Sequence, residues 1–366
     1  MPLAAIVATV PLLIWWWWSS VDEQAIRLEP ISFSAIEGWT ADDQAAAFPA
    51  LIKSCRKKPS ASSACKDALA LGDKVDRDTA RRFFETHYIA YRVEQAHPGM
   101  VTAYYEPELN GSRERTDKFQ VPVYRRPDDL VQMTPDVLRA FYNDSHSVLR
   151  RSGEELVPYY TRAEIESGAL KGRGLELLYL DDPVELFFMQ IQGSGRVRLT
   201  DGSWVRLGYA AKNGHSYVSI GKLLAERDDR PKNLTMDGLK SWLKADPARG
   251  RALMQQNGSY VFFRELPQTK AGDGPIGAQG VALTPGRSLA VDASYHALGT
   301  PIFVTAPKLK TPEGAPFRRL MIAQDVGSAI RGPERGDIFW GTGDAAGAIA
   351  GTIKQKAQFF VLLPKR

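Results

Sequence analysis

The sequence predicts a chain that is mostly β with α-helices in defined places (α+β), and three observations carry that reading. Residues 40–96 place apolar side chains at helical spacing, with Phe83, Phe84, Tyr88 and Tyr91 along one stripe. At Pro98-Gly99 the pattern turns to short β-rich runs, 101–105 and 121–124, separated by the polar turn-rich stretch 110–118. A second β-rich segment, from Tyr260 to Leu363, follows helical patterns at 219–226, 236–245 and 247–256.

In chain order, residues 1–18 are an uncharged apolar run ending in Trp15 to Trp18. Such a run fits an export signal or an N-terminal anchor, although a basic n-region is missing and Pro11 interrupts it. Tryptophans favour the headgroup level of a bilayer, so membrane association through this segment and its removal after export both fit. The helical region reads as 45–52, 64–71 and 79–91, with Asp78 or Thr79 as the cap of the last, and its aromatic stripe is expected in the core. Cys55 and Cys65 are close enough in sequence to be bridged across a short loop in an oxidising compartment, and a disulfide is expected. No third Cys or nearby His completes a tetrahedral shell around them, so no metal site is expected. Further on, Thr161 to Glu164 has the form of a capping box, 184–191 is an apolar run, and Asp201-Gly202 between 197–200 and 204–207 reads as a hairpin turn.

The 366 residues, with 44% hydrophobic content, suffice for one large or two ordinary domains with real cores. A formal net charge of +5 is a small excess on this length, and no Lys/Arg block is dense, so nucleic-acid binding is not indicated. A mildly basic surface does suit an anionic polymer. The patterns of a nucleophile elbow and of a phosphate-cradling glycine loop are absent, and Gly193-Ser194-Gly195 is neither. No cofactor is expected.

The chemistry is expected where carboxylates close strands. An apolar run ends at Asp325 and a small-residue turn follows; Asp337 and Asp344 arrive between glycines, and Asp292 closes an earlier apolar run. Asp and Gly are also ordinary turn residues, so turn-holding is the alternative role for each. What distinguishes Asp292, Asp325 and Asp337 is their shared setting at the ends of β-rich runs.

The pattern V-D-(x)6-G-T-P from Val291, A-Q-D-V-G-S-A-I-R-G from Ala323 and G-D-x-F-W-G-x-G-D from Gly336 resembles the three-aspartate domain of the membrane-bound lytic transglycosylase A (MltA) family. The resemblance continues through V-T-A-Y-Y-E-P from Val101, Q-I-Q-G-S-G from Gln190 and G-Y-A-A-K-N-G-H from Gly208, over roughly residues 30–366. It implies a double-psi β-barrel made of residues 21–100 and 257–366, an inserted, smaller β-rich substrate-binding domain at 101–256, and a sugar-binding groove between them. It also implies an exported, periplasmic protein of a Gram-negative cell, although the lipid-bearing cysteine of many members is missing after the apolar run. The expected partner is the peptidoglycan glycan strand, acted on by a monomer.

An ordinary glycosidase uses two carboxyl groups. The resemblance implies instead that the C6 hydroxyl of N-acetylmuramic acid attacks its own anomeric carbon, so that one carboxyl group serves first as acid and then as base. Asp325 matches that position, with Asp337 and Asp292 in support. For binding, the resemblance points to Thr102, Tyr104, Tyr105, Gln190, Gln192, Gly193, Ser194, Gly195, Tyr209, Asn213 and Trp340, with the proviso that strand alternation turns one of Tyr104 and Tyr105 to the core. Plain hydrolysis on the same fold and inactive wall binding are the competing readings; a new reducing end in place of an anhydro end would mark the first.

Overall fold

The computed structural model describes residues 26–58, 62–94, 98–133, 148–232, 235–267, 272–311 and 314–365. The N-terminal apolar run therefore lies outside the described residues. Among those described, no helix is long and apolar enough to cross a membrane.

Six strands close on themselves as a barrel: Gly99–Glu106, Ser288–Val291, Pro301–Lys310, Pro316–Val326, Arg335–Thr342 and Lys354–Pro364. Lys354–Pro364 closes the ring by pairing with Pro301–Lys310 through its middle and with Gly99–Glu106 through its start. Two pairings are parallel, Ser288–Val291 with Pro316–Val326 and Arg335–Thr342 with Gly99–Glu106. Strand side chains alternate between faces, so consecutive apolar residues go to opposite sides of the barrel wall. Ile302, Val304, Met321, Ala323, Phe359 and Val361 fill the barrel interior. Their neighbours Phe303, Leu320, Ile322, Phe360 and Leu362 point outward, where Trp39, Phe48, Phe83 and Phe84 of the N-terminal helical layer cover them.

That layer comprises the helices Phe48–Lys57, Ser63–Leu71 and Arg77–His87, and Cys55 and Cys65 join the first two through a disulfide. The third helix is capped by Asp76, which accepts from the Thr79 N–H at 2.9 Å, rather than by Asp78 or Thr79. It also stops at His87 rather than at residue 91. Tyr88–Glu94 is a strand, because pairing with the end of Lys354–Pro364 on one side and with Arg27–Ile31 on the other overrides the helical spacing of its aromatics.

A second sheet has the order Val261–Leu266, Trp204–Lys212, Ser194–Leu199, Glu108–Ser112, Glu176–Leu180, Val121–Tyr124. The expected hairpin is present, with Val197 opposite Val205. The apolar run near 184–191 is the helix Pro183–Gln192: Asp182 caps it by accepting from the Val184 N–H at 2.8 Å, Pro183 opens it, and Gly193 closes it in the left-handed region at φ 79°. Strand pairing assigns Gly99–Glu106 to the barrel and Val261–Leu266 to the second sheet, so both strands lie across the divisions expected at 101 and 257.

One buried ion pair ties the sheets together. Glu106, from the barrel, and Arg206, from the second sheet, meet at 2.8 Å and are both shielded from solvent. Thr342 donates to Glu106 at 2.9 Å, while Arg206 also donates to the carbonyls of Asp273 and Gly274, each at 3.2 Å. Removing one partner would strand the other charge, at a cost of about 3–5 kcal/mol.

Candidate active site

The barrel and the second sheet face each other across a groove of about 550 Å³. Its floor belongs to a row across four barrel strands. Ala290 pairs with Asp325 on one side and with Asp337 on the other, and Asp337 pairs in turn with Thr102. Residues matched across neighbouring strands share a face, so both acids rise on the same side with only a methyl group between them. Their backbones are two strand spacings apart, roughly 10 Å.

Asp325 reaches that row through a bulge. Leu289 pairs with Ala323 and Ala290 with Asp325, which leaves Gln324 as the extra residue. Gln324 is wholly buried and anchored: its amide donates to the Ala50 carbonyl and to Ser54 Oγ, both at 2.8 Å. The bulge fixes where the next side chain points. Asp325 Oδ2 accepts from the Tyr104 hydroxyl at 2.7 Å, and Oδ1 accepts from the backbone N–H of Ala278 at 2.8 Å and of Val326 at 3.0 Å. Gly277 is required beside it, since a Cβ there would lie 2.7 Å from the Gln324 carbonyl oxygen.

Burial pushes the Asp325 carboxyl above the usual aspartate range, although the Tyr104 hydroxyl and the two N–H groups favour its charged form. Burial also raises Asp337, to about 6, against the opposing pull of Thr102 and Arg335 and with a further push from Asp325. Thr102 donates to Asp337 and accepts from Arg335 at 2.8 Å, so its hydroxyl links acid and guanidinium. Asp292 does something else. Burial would raise it, but the Gly332 N–H, the Ser294 hydroxyl and N–H, and Arg331 together hold it below the usual range. It lies outside the groove lining and pins the loop after Asp325, with His296 adding a 2.6 Å contact to the Pro333 carbonyl. Its position is that of a turn-holding residue.

The residues expected to bind divide in the same way. Tyr104, Gln190, Gln192, Gly193, Ser194 and Tyr209 line the groove, and Thr102 lies behind Asp337. Tyr105, one residue along the strand from Tyr104, points to the far side, where its ring packs on Gly347; only its N–H contributes nearby, donating to Gln192 at 3.0 Å. Asn213 is wholly buried, donating to the carbonyls of Tyr160 and Gly258 and accepting from the Tyr260 N–H at 2.8 Å. Trp340 stacks on Phe317 against the barrel core, and Gly195 lies under Met189. None of these four lines the groove. Arg335, Lys212, Tyr217, Arg264 and residues 275–278 and 280 do line it and are not among the residues expected from sequence. Lys212 had a signal, lying in the motif that begins at Gly208; the Ala278 N–H has no side-chain signature at all.

A family model described as the MltA specific insert domain matches residues 100–264, and one described as the 3D domain matches residues 287–363. A crystal structure of the membrane-bound lytic murein transglycosylase from Agrobacterium tumefaciens superposes with a TM-score of 0.83 and 38% identity, covering 92% of this chain and 97% of that one. The chain belongs to the membrane-bound lytic murein transglycosylase A family. A relative of that name from Vibrio cholerae is 41% identical over 202 residues, 53% of each chain, so the match spans about half the length of that curated relative. Escherichia coli MltA with bound chitohexaose has a TM-score of 0.69 and 28% identity, covering 93% of this chain and 95% of that one. The 3D-domain model thus falls on barrel strands, while the insert model covers the second sheet together with most of the barrel strand Gly99–Glu106.

Proposed function

We propose that this chain is a peptidoglycan lytic transglycosylase that cleaves the β-1,4 bond between N-acetylmuramic acid and N-acetylglucosamine without water, with Asp325 as the one acid and base. The observation that carries this reading is the placement of Asp325: a desolvated carboxyl on the groove floor, aimed by Tyr104 and Ala278, with its acidity weakened by burial. A carboxyl that retains its proton is a general acid. It gives that proton to the glycosidic oxygen as the bond to the anomeric carbon breaks. The resulting carboxylate then takes the proton of the muramic acid C6 hydroxyl, whose oxygen closes on the same carbon, and Asp325 is protonated again. Because the nucleophile is part of the substrate, its effective concentration is high and no second carboxyl group need activate water. Asp337 is the supporting charge beside the developing positive centre, held by Thr102 and Arg335.

In this reading the groove holds a glycan strand between the barrel (residues 26–106 and 287–365) and the substrate module (residues 108–266), with Gln190, Gln192, Ser194 and Tyr209 as binding groups. The E. coli relative with bound chitohexaose supports a saccharide as the ligand. The family's membrane-bound members favour a place in the periplasm or envelope, where the Cys55–Cys65 bridge would persist. Mass spectrometry of peptidoglycan digests tests the reading. Wild-type protein is expected to release 1,6-anhydromuramic ends, and Asp325→Asn to release none at the same exposure; reducing muramic ends from the wild type would overturn it.

A further inference from the structure

Two of the constraints on Asp325 come from segments far apart in the chain, and both lead back to one hydroxyl group. The first is the bulge. The Gln324 amide donates to Ser54 Oγ and to the Ala50 carbonyl, both at 2.8 Å, while its side-chain oxygen accepts from the Ser288 hydroxyl at 2.5 Å. The second is a short hairpin, residues 274–283. The Gly274 N–H donates to the Leu283 carbonyl at 2.8 Å, the Leu283 N–H to the Pro275 carbonyl at 2.9 Å and the Gly277 N–H to the Val281 carbonyl at 3.0 Å, with Ile276 opposite Ala282. The hairpin tip delivers the Ala278 N–H to Asp325 Oδ1 and the Gln279 N–H to the Gln324 carbonyl at 3.0 Å. The Gln279 side chain then turns back to the helix Phe48–Lys57, where its oxygen accepts from the Ser54 hydroxyl at 2.7 Å.

Ser54 is only 4% exposed. Its single proton goes to Gln279 and its oxygen receives the Gln324 amide, so one side chain fastens both the bulge that aims the carboxyl and the hairpin tip that holds it. A helical serine ordinarily bonds back to the carbonyl four residues earlier. Here that carbonyl, of Ala50, lies farther off at 3.2 Å and is already taken by Gln324. Lys53, the preceding residue, holds the base of the hairpin through Asp273, so adjacent residues of one helix secure both of its ends. Neither Ser54 nor Gln279 lines the groove.

We propose that Ser54 is a positioning residue for the reaction: by joining Gln324 to Gln279 it fixes the direction of the Asp325 carboxyl and keeps the Ala278 N–H on it. The inference rests on the reading of Asp325 as the acid and deepens it. Losing the Ala278 N–H removes a hydrogen bond that favours the charged form, so the Asp325 titration moves to higher pH. The other groups facing that carboxyl stay in place: Tyr104 from Gly99–Glu106, and Asp337 with its partner Arg335 from Arg335–Thr342. From the helix, Lys53 remains on Asp273 and Lys57 against Gly280, and residues 276–282 bring no titratable side chain.

Two variants test the proposal. Ser54→Ala cuts both routes, whereas Gln279→Ala cuts the hairpin route at a half-buried position and leaves the Ser54 proton to the Ala50 carbonyl. The readouts are the ¹³C titration of the Asp325 carboxyl in ligand-free protein, assigned by its loss in Asp325→Asn, and the pH profile of kcat. Both variants are expected to titrate at higher pH than the wild type and to carry the alkaline limb of kcat with them. At the optimum, kcat should fall by about tenfold in Ser54→Ala and about threefold in Gln279→Ala, with KM unchanged. A residue that only stabilises the fold changes the folded fraction and not the midpoint, so an unmoved midpoint in either folded variant overturns the proposal. A raised KM at unchanged kcat does the same, and if Ser54→Ala does not fold, Gln279→Ala decides alone. A midpoint that moves while the rate profile stays put would leave Ser54 as the group that positions the carboxyl and count instead against Asp325 as the acid.

Discussion

The floor and the wall of the groove follow opposite building rules. On the floor each acid is held by several partners drawn from different parts of the chain. Asp325 is fixed by Tyr104, by the backbone of 278 and by a bulge that is itself anchored to the first helix, and Asp337 by Thr102 on the neighbouring strand. On the wall the side chains are open: Tyr209 and Tyr217 are 49% and 43% exposed. Reaction at one carboxyl group needs a fixed direction and a dry environment, which only over-determined packing supplies. Binding a long polymer needs many weak contacts, each of which can adjust.

The sharpest break in that comparison is the loss of the floor's central acid. Asp325→Asn keeps the volume and removes the proton, so turnover should fall about a hundredfold or more while saccharide affinity, set by the wall, stays put. Single-turnover kinetics alongside titration calorimetry separates the two; a matched loss in both would place Asp325 among the binding groups.

The floor should also show in stability. The Asp337 carboxyl has a folded-state pKa of about 6 against an ordinary value of 3.8, so the folded chain holds that proton more tightly than the unfolded chain does. Its favourable contribution is complete below the ordinary value and is lost as pH rises through about 6. Asp337→Asn resembles the protonated form, and at pH 7 it should be more stable than the wild type by up to about 3 kcal/mol, with the difference vanishing near pH 4. Urea unfolding at the two pH values checks this, and a variant less stable than the wild type at neutral pH would contradict it.

On the wall side, Asn213 separates motif membership from groove membership. Asn213→Ala strands the Tyr160 carbonyl and the Tyr260 N–H and leaves the Gly258 carbonyl with the Arg162 N–H alone, so it should cost about 2 kcal/mol or more of stability and leave KM unchanged in the folded fraction. A raised KM at unaltered stability would return Asn213 to the groove. Smaller still is Tyr104→Phe, which removes a hydrogen bond that favours the charged form of Asp325. The alkaline limb of the rate profile should move to higher pH, with kcat lower by roughly tenfold from lost aim. An unmoved limb would mean that Tyr104 only packs.

Much of this was legible in the chain. The apolar run at 320–323 marked a strand, and Asp325, at its end, is where the sequence placed the chemistry. What could not be read is whatever depends on pairing between distant segments. Tyr88 and Tyr91 carry helical spacing and end up in a strand because the C-terminal strand offers a ladder. Gln324 shows no bulge in its letters; the bulge arises because Ser288–Val291 and the helix Phe48–Lys57 converge on it. Motif membership likewise groups Tyr105, Asn213 and Trp340 with Tyr104 and Gln192, whereas a strand's twofold period and a buried amide network divide scaffold from surface.

Digestion of peptidoglycan in water enriched in ¹⁸O tests the central claim most directly, because it asks which oxygen ends on the anomeric carbon. If Asp325 directs the muramic C6 hydroxyl, the cleaved muramic ends are anhydro and carry no label from solvent. Muramic reducing ends carrying ¹⁸O at the anomeric carbon as primary products would show that water is the nucleophile and that the one-carboxyl account is wrong.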